Sequence, residues 1–149
     1  MRLWIVIGAI FSATSCFAEG IKQEINFNPG ESSAAVSGSV LRGDRDMFTM
    51  SSARAQYLVV SLTSADRNAV FDLWEPAYKV GPDDEVKGNR MAIETTEFSG
   101  QLPATGRYLI VVRGTSGTID YQLTAALTDP YGVTRSTAIQ LGTPSPPRP

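Results

Sequence analysis

From Ile21 onward, apolar residues recur at alternate positions in short runs separated by glycine, proline, asparagine, aspartate or serine. A period of two suits a strand with one buried face, whereas a helix needs apolar residues every three or four positions. The chain is thereby confined to β-structure. Ile21, Ile25 and Phe27 alternate with Lys22, Glu24 and Asn26 until Asn28-Pro-Gly30. Ala34, Val36, Gly38 and Val40 alternate with Ala35, Ser37 and Ser39 up to Arg42-Gly43-Asp44, and Met47 to Ser51 is a short third strand. Gln56 to Ser64, with Tyr57, Val59 and Val60, reads as a strand buried on both faces. Val70 to Trp74 follows. Ala77 to Arg90 carries no period and reads as a long loop. Ile93 to Leu102 supplies one strand and Arg107 to Arg113 the clearest. Gly114-Thr-Ser-Gly117 reads as a hairpin turn before Ile119, Tyr121, Leu123 and Ala125. Seven or eight such strands without a helix predict an all-β chain, an antiparallel, jelly-roll-like β-sandwich.

The two ends of the chain have a different composition. Arg2, the apolar run Leu3 to Phe11 and the small residues up to Ala18 form a secretory signal over residues 1–18. The apolar run is shorter than the roughly 20 residues that span a bilayer. Cleavage after Ala18 starts the mature chain at Glu19 and removes Cys16, the sole cysteine, so the domain holds no disulfide or thiolate site. A competing reading uses Ala13-Thr-Ser-Cys16 as a lipoprotein box and anchors the domain through Cys16. Residues 19–129 form the sandwich domain. Pro144-Ser-Pro-Pro-Arg-Pro149 cannot extend a sheet, and residues 130–149 read as a disordered, proline-rich tail.

The formal charge is −2, one unit more negative once Arg2 leaves with the signal. No basic run interleaves with aromatics, which argues against a nucleic-acid partner; a mildly acidic surface suits a basic protein partner. The chain has no histidine, hence no Ser-His-Asp arrangement and no His-based metal site. Asp44 and Asp46 lie two apart in a turn, so one is expected to cap backbone amides while the other faces solvent. Asp83-Asp-Glu85 reads as a solvated loop, and neither cluster has the spacing of an established calcium loop. No cofactor is implied, and the chain reads as non-enzymatic.

Three segments together carry a family likeness. Phe27-Asn-Pro-Gly-Glu-Ser-Ser33 leads to Ser37-Gly38 and then to the turn Asp44-Arg-Asp-Met-Phe48; Ala53 to Thr63 follows, and Gly100-Gln-Leu-Pro-Ala-Thr-Gly-Arg-Tyr108 comes later. Over most of residues 25 to 127 this resembles the bacterial periplasmic inhibitors of g-type lysozyme. The Asp-x-aromatic and Gly-x-Tyr strands are also similar to β-sandwich domains appended to secreted peptidases. The resemblance implies a periplasmic lysozyme inhibitor, g-type favoured, that inserts loops into the enzyme's cleft. A Ser-Gly-x-Tyr turn of such inhibitors is matched here by Thr105, Gly106, Arg107 and Tyr108, with Arg107 and Tyr108 as the anchors. The alternative for these residues is a plain turn with Tyr108 packed on the sandwich. Two departures accompany the match. Gly43 stands where the family has a tyrosine, and an Arg/Lys-rich insertion is reduced to Gly114-Thr-Ser-Gly-Thr118. Arg42 and Arg45 are the candidates to substitute in the first loop. An alternative function is a non-catalytic envelope or glycan-binding module with Trp74, Tyr57 and Tyr78 as an aromatic platform, although the strand positions of Trp74 and Tyr57 favour the core. Sandwich edge strands also leave open a homodimer.

Overall fold

The computed structural model describes residues 20–27 and 31–129. The signal and the proline-rich tail lie outside the described residues. Among the described residues eleven strands run in the order β1 (Lys22–Glu24), β2 (Ser33–Leu41), β3 (Arg45–Ser52), β4 (Tyr57–Ser64), β5 (Ala69–Trp74), β6 (Lys79–Val80), β7 (Val86–Lys87), β8 (Arg90–Thr95), β9 (Glu97–Gln101), β10 (Gly106–Gly114) and β11 (Thr118–Thr128). A five-stranded sheet, β1-β3-β10-β5-β8, faces a four-stranded sheet, β2-β11-β4-β9. Every pair is antiparallel except β1 with β3, so the all-β sandwich expected from the alternation is present.

The inward residues of both sheets make one core. Phe48, Met50, Phe71, Leu73, Tyr108, Ile110 and Val112 from the larger sheet meet Val40, Leu58, Val60, Tyr121, Leu123 and Ala125 from the smaller. Burying each large aliphatic or aromatic side chain contributes about 1.5–3 kcal/mol, the main force holding the layers together. Asp46 is a charged residue buried among them. Its Oδ1 accepts from the Ile21 amide at 2.8 Å and its Oδ2 from the Tyr121 hydroxyl at 2.5 Å, which ties β11 across the core to β3. Asp46 is thus the amide-capping member of the Asp44/Asp46 pair, but it also bonds across the two sheets.

Four local expectations need correction. β4 is buried on one face only: Tyr57 and Val59 are 43% and 41% exposed, because β-branched and aromatic residues also suit the open face of a pleated sheet. The segment 93–102 is two strands, β8 and β9, which belong to opposite sheets. The chain crosses at Thr96, where the Thr95 hydroxyl and Glu97 backbone close a tight turn with no glycine or proline to signal it. Gly114 to Gly117 is likewise a crossing, since β10 and β11 lie in different sheets; the same small residues serve a hairpin or an inter-sheet link. Finally, the expected loop at 77–90 contains the small hairpin β6–β7.

That hairpin lies on the outer face of the larger sheet. Tyr78 and Val86 pack on Met47, Trp74, Leu109 and Val111, a second apolar cluster outside the sandwich core. Arg45 donates to the Asp84 carbonyl at 2.9 Å, and Lys22 pairs with the Asp84 carboxylate at 2.8 Å. Nearby, Asp72 accepts from Arg113 at 3.0 Å and from the Glu94 amide at 2.7 Å, while Arg90 stacks 5.1 Å from the Trp74 ring centre. Two donors here, Trp74 Nε1 and Arg113 Nε, are buried without a protein partner.

Candidate functional site

The connection between β9 and β10 forms an exposed tip at one end of the sandwich. Leu102 roots it in the core, and its amide and carbonyl bond to the Gln56 carbonyl and the Ala55 amide, both at 2.8 Å. Those partners belong to the β3–β4 turn, Ala53 to Gln56, so two turns are zipped side by side. Side chains complete the zipper. The Arg54 amide donates to Thr105 Oγ1 at 2.9 Å, and within the β3–β4 turn itself the Ala53 amide donates to Gln56 Oε1 at 2.7 Å. The Gln101 amide group donates to the Ala55 carbonyl at 3.1 Å. Hydrogen bonds that bridge two turns remove the freedom a surface loop otherwise keeps.

The four residues singled out at this tip divide by role. Thr105 and Arg107 are exposed, and Gly106 is half-buried. Gly106 has φ +154, and a Cβ there would lie 2.8 Å from the Pro76 Cβ, so both backbone shape and space demand glycine. Tyr108 is fully buried, contrary to its expected part as an anchor. Its hydroxyl donates to the Ala104 carbonyl at 2.6 Å and accepts from the Ala104 amide at 3.2 Å. Burial, partly offset by the Ala104 bond, raises its phenol pKa above the ordinary value. The residue latches the tip from beneath, which is the plain-turn alternative for Tyr108. The reason is register: Tyr108 lies opposite Met50 on the inward face, while Arg107 and its neighbour Ser51 point outward.

Arg107 stands on the outer face close to Tyr78, whose phenol burial raises and the Arg107 charge lowers, with burial dominant. A second exposed cation, Arg54, joins it through the zipped turns. Arg54 escaped notice in the sequence because its turn has no glycine or proline: the left-handed position is Ala55, φ 72. Gln56 was also missed, and it is buried between Ala53 and Asp129. The one available signal was a polar residue at an apolar register position.

Arg42 and Arg45 do not join this group. Arg113 lies opposite Arg45 and Arg107 opposite Ser51, so six residues of strand, about 20 Å at ~3.4 Å each, separate the two arginine sites. Arg42 is exposed at the far end, where its amide bonds to the Gly117 carbonyl at 2.7 Å. Arg45 is engaged with the hairpin carbonyl. The proposed aromatic platform is also dispersed. Tyr57 is exposed on the smaller sheet, Trp74 is buried under Arg90 on the larger one, and Tyr78 packs on the latter.

No family model matches the chain, and no curated protein is similar to it. Solved structures are. The Aeromonas hydrophila PliG, a periplasmic inhibitor of g-type lysozyme, superposes with a TM-score of 0.60 at 22% identity over 74% of this chain and 98% of that one. A mutant PliG from Escherichia coli gives 0.54 at 22% identity, covering 73% of this chain and 99% of its own. The pre-peptidase C-terminal domain of a Bacillus anthracis collagenase gives 0.50 at 17% identity over 71% of this chain and 95% of that domain. The structural neighbours thus include the inhibitor family the sequence resembles and a domain of the second kind. At these identities the likeness establishes the fold.

Proposed function

We propose that this protein is an exported, non-catalytic inhibitor of a lysozyme, g-type first, that places its Thr105 tip in the enzyme's cleft. The observation that carries the reading is a fold likeness running along 98% of a g-type lysozyme inhibitor. The tip supplies a mechanism. Glycoside-cleaving clefts hold a pair of carboxyl groups, and an arginine fork meets a carboxylate in two parallel charge-assisted bonds. Arg107 and Arg54 are the exposed forks at the tip. Thr105 already accepts the Arg54 amide, so its hydroxyl proton and second lone pair are what remain for the enzyme. Because the zipped turns are ordered beforehand, little contact energy goes into freezing them on docking. Tyr108 contributes by holding the turn, and Arg42 and Arg45 stand outside this footprint.

Export follows the signal reading, with cleavage after Ala18 and residence in the periplasm; attachment of lipid at Cys16 is the alternative. Mass spectrometry of the mature N-terminus separates the two. Among the described residues no helix is long and apolar enough to cross a membrane. The envelope- or glycan-binding alternative draws no support from the dispersed aromatics.

The test is a cell-wall lysis assay with purified mature protein against g-, c- and i-type lysozymes. Inhibition near stoichiometric ratio is expected, strongest for the g-type enzyme. Undiminished lysis by all three at large inhibitor excess rules the function out.

A further inference from the structure

The sandwich has four edge strands among the described residues, and three are protected against pairing with another chain. β1 is three residues long and carries Lys22 and Glu24. β8 is bulged, with register shifts against β5 between Phe71 and Leu73 and again between Leu73 and Trp74, and it begins with Arg90. β9 has five residues and starts at Glu97. Short length, bulges and charge are the devices that blunt an edge.

β2 has none of them. It runs nine residues, Ser-Ala-Ala-Val-Ser-Gly-Ser-Val-Leu, without charge or proline. Its ladder to β11 is continuous from Leu41↔Thr118 to Ser33↔Ala126, with no shift. Bonds at both ends fix which groups are spare. The Ser32 carbonyl takes the Leu127 amide and the Arg42 amide gives to the Gly117 carbonyl, so even-numbered residues face β11. Ser33, Ala35, Ser37 and Ser39 therefore turn their backbone groups to the outer edge, while the Leu41 carbonyl on the same side is already taken by the Asp44 amide at 3.0 Å.

We propose that this edge pairs with a second copy of the chain, β2 against β2 antiparallel about Ser37, joining two four-stranded sheets into one. The side chains fit that register on both faces. On the outer face Ser37 meets Ser37 of the partner, and Ala35 meets the partner's Ser39, all small and neutral. On the core face Val36 meets the partner's Gly38, a position with no side chain because the Tyr121 ring lies where a Cβ would stand, its hydroxyl oxygen 2.5 Å away. Val36 and Ala34, half-buried at the open margin of the core, would be covered. Self-pairing opposes no like charges, and the edge amides of Ala35, Ser37 and Ser39 each gain a carbonyl. The proposal is independent of lysozyme inhibition.

Sedimentation equilibrium or light scattering on the purified protein tests it across micromolar to hundred-micromolar concentrations. The expected result is a dimer mass. Ser37→Pro removes a donor from the open edge alone and should give a monomer with an unchanged far-ultraviolet spectrum. Ser37→Lys puts two charges face to face and should raise the dissociation constant at least tenfold. Thr63→Lys, the same charge two strands inward, should leave the dimer intact. A monomer throughout overturns the proposal, as does a dimer indifferent to both Ser37 changes. A monomer whose Ser37 amide resists hydrogen exchange also overturns it, since the edge is then covered from within the chain.

Discussion

Two tyrosine hydroxyls, one toward each end of the sandwich, are held in opposite ways. Tyr121 reaches across the core to the Asp46 carboxylate on the facing sheet, within fully buried surroundings. Tyr108 turns back on its own connection and binds both backbone groups of Ala104. The first bond joins the two layers; the second joins a loop to itself. A buried carboxylate that loses a donor finds no substitute, whereas half-buried Ala104 can turn to water. The Arg42 end is thus coupled to global stability and the Thr105 end to local shape. A contact tip benefits from the second arrangement, because its sequence can vary without unfolding the scaffold.

Tyr121→Phe puts most strain on this contrast. Leaving Asp46 Oδ2 without its donor should remove about 3 kcal/mol of stability, read by chemical denaturation. A loss below about 1 kcal/mol would mean the layers are not tied through this bond. The same pair sets an alkaline limit. Burial first, then the hydrogen bond and charge of Asp46, push the Tyr121 phenol far above the ordinary tyrosine range. The folded state keeps a proton that the unfolded chain releases near pH ~10, so this stabilisation is complete below that pH and declines above it. In Tyr121→Phe the alkaline decline should be shallower.

Arg107→Ala tests the other end. If Arg107 is an anchor, inhibition weakens by about 2 kcal/mol, near thirtyfold, with no change in melting temperature. A smaller effect comes from Tyr108→Phe, about 1 kcal/mol in stability, with inhibition reduced less than by Arg107→Ala. Smallest of all, Arg42→Ala should stay within about 0.5 kcal/mol in stability and leave inhibition unchanged. Inhibition lost with Arg42→Ala and retained with Arg107→Ala would move the contact surface to the opposite end.

Particular residues show where the sequence was legible. The alternation through Val36, Val60, Ile110 and Leu123 announced strands because one face of each enters a shared core. The same alternation did not reveal that β8 and β9 part into opposite sheets, since a turn made by a threonine hydroxyl leaves no glycine or proline mark. At the tip, Gly106 and the exposed Thr105 and Arg107 were marked by their match to the Ser-Gly-x-Tyr turn of the inhibitors the sequence resembles. Tyr108 was misassigned because an aromatic after a turn can face either way, and only the register with Met50 sends it inward. Arg54 was hidden in a turn built on Ala55, a residue that signals nothing by itself.

By itself the order of residues determined the class of fold, the length of most strands and the absence of histidine and cysteine chemistry from the domain. Those follow from local periodicity and from composition, which need no partner segment to express them. Only the tertiary structure decided which strands share a sheet, that Arg107 and Arg45 lie at opposite ends, and that Asp46 finds Tyr121. These are long-range pairings, set by register and by the cost of leaving a buried charge such as Asp46 without donors. No short window of sequence contains both members of such a pair.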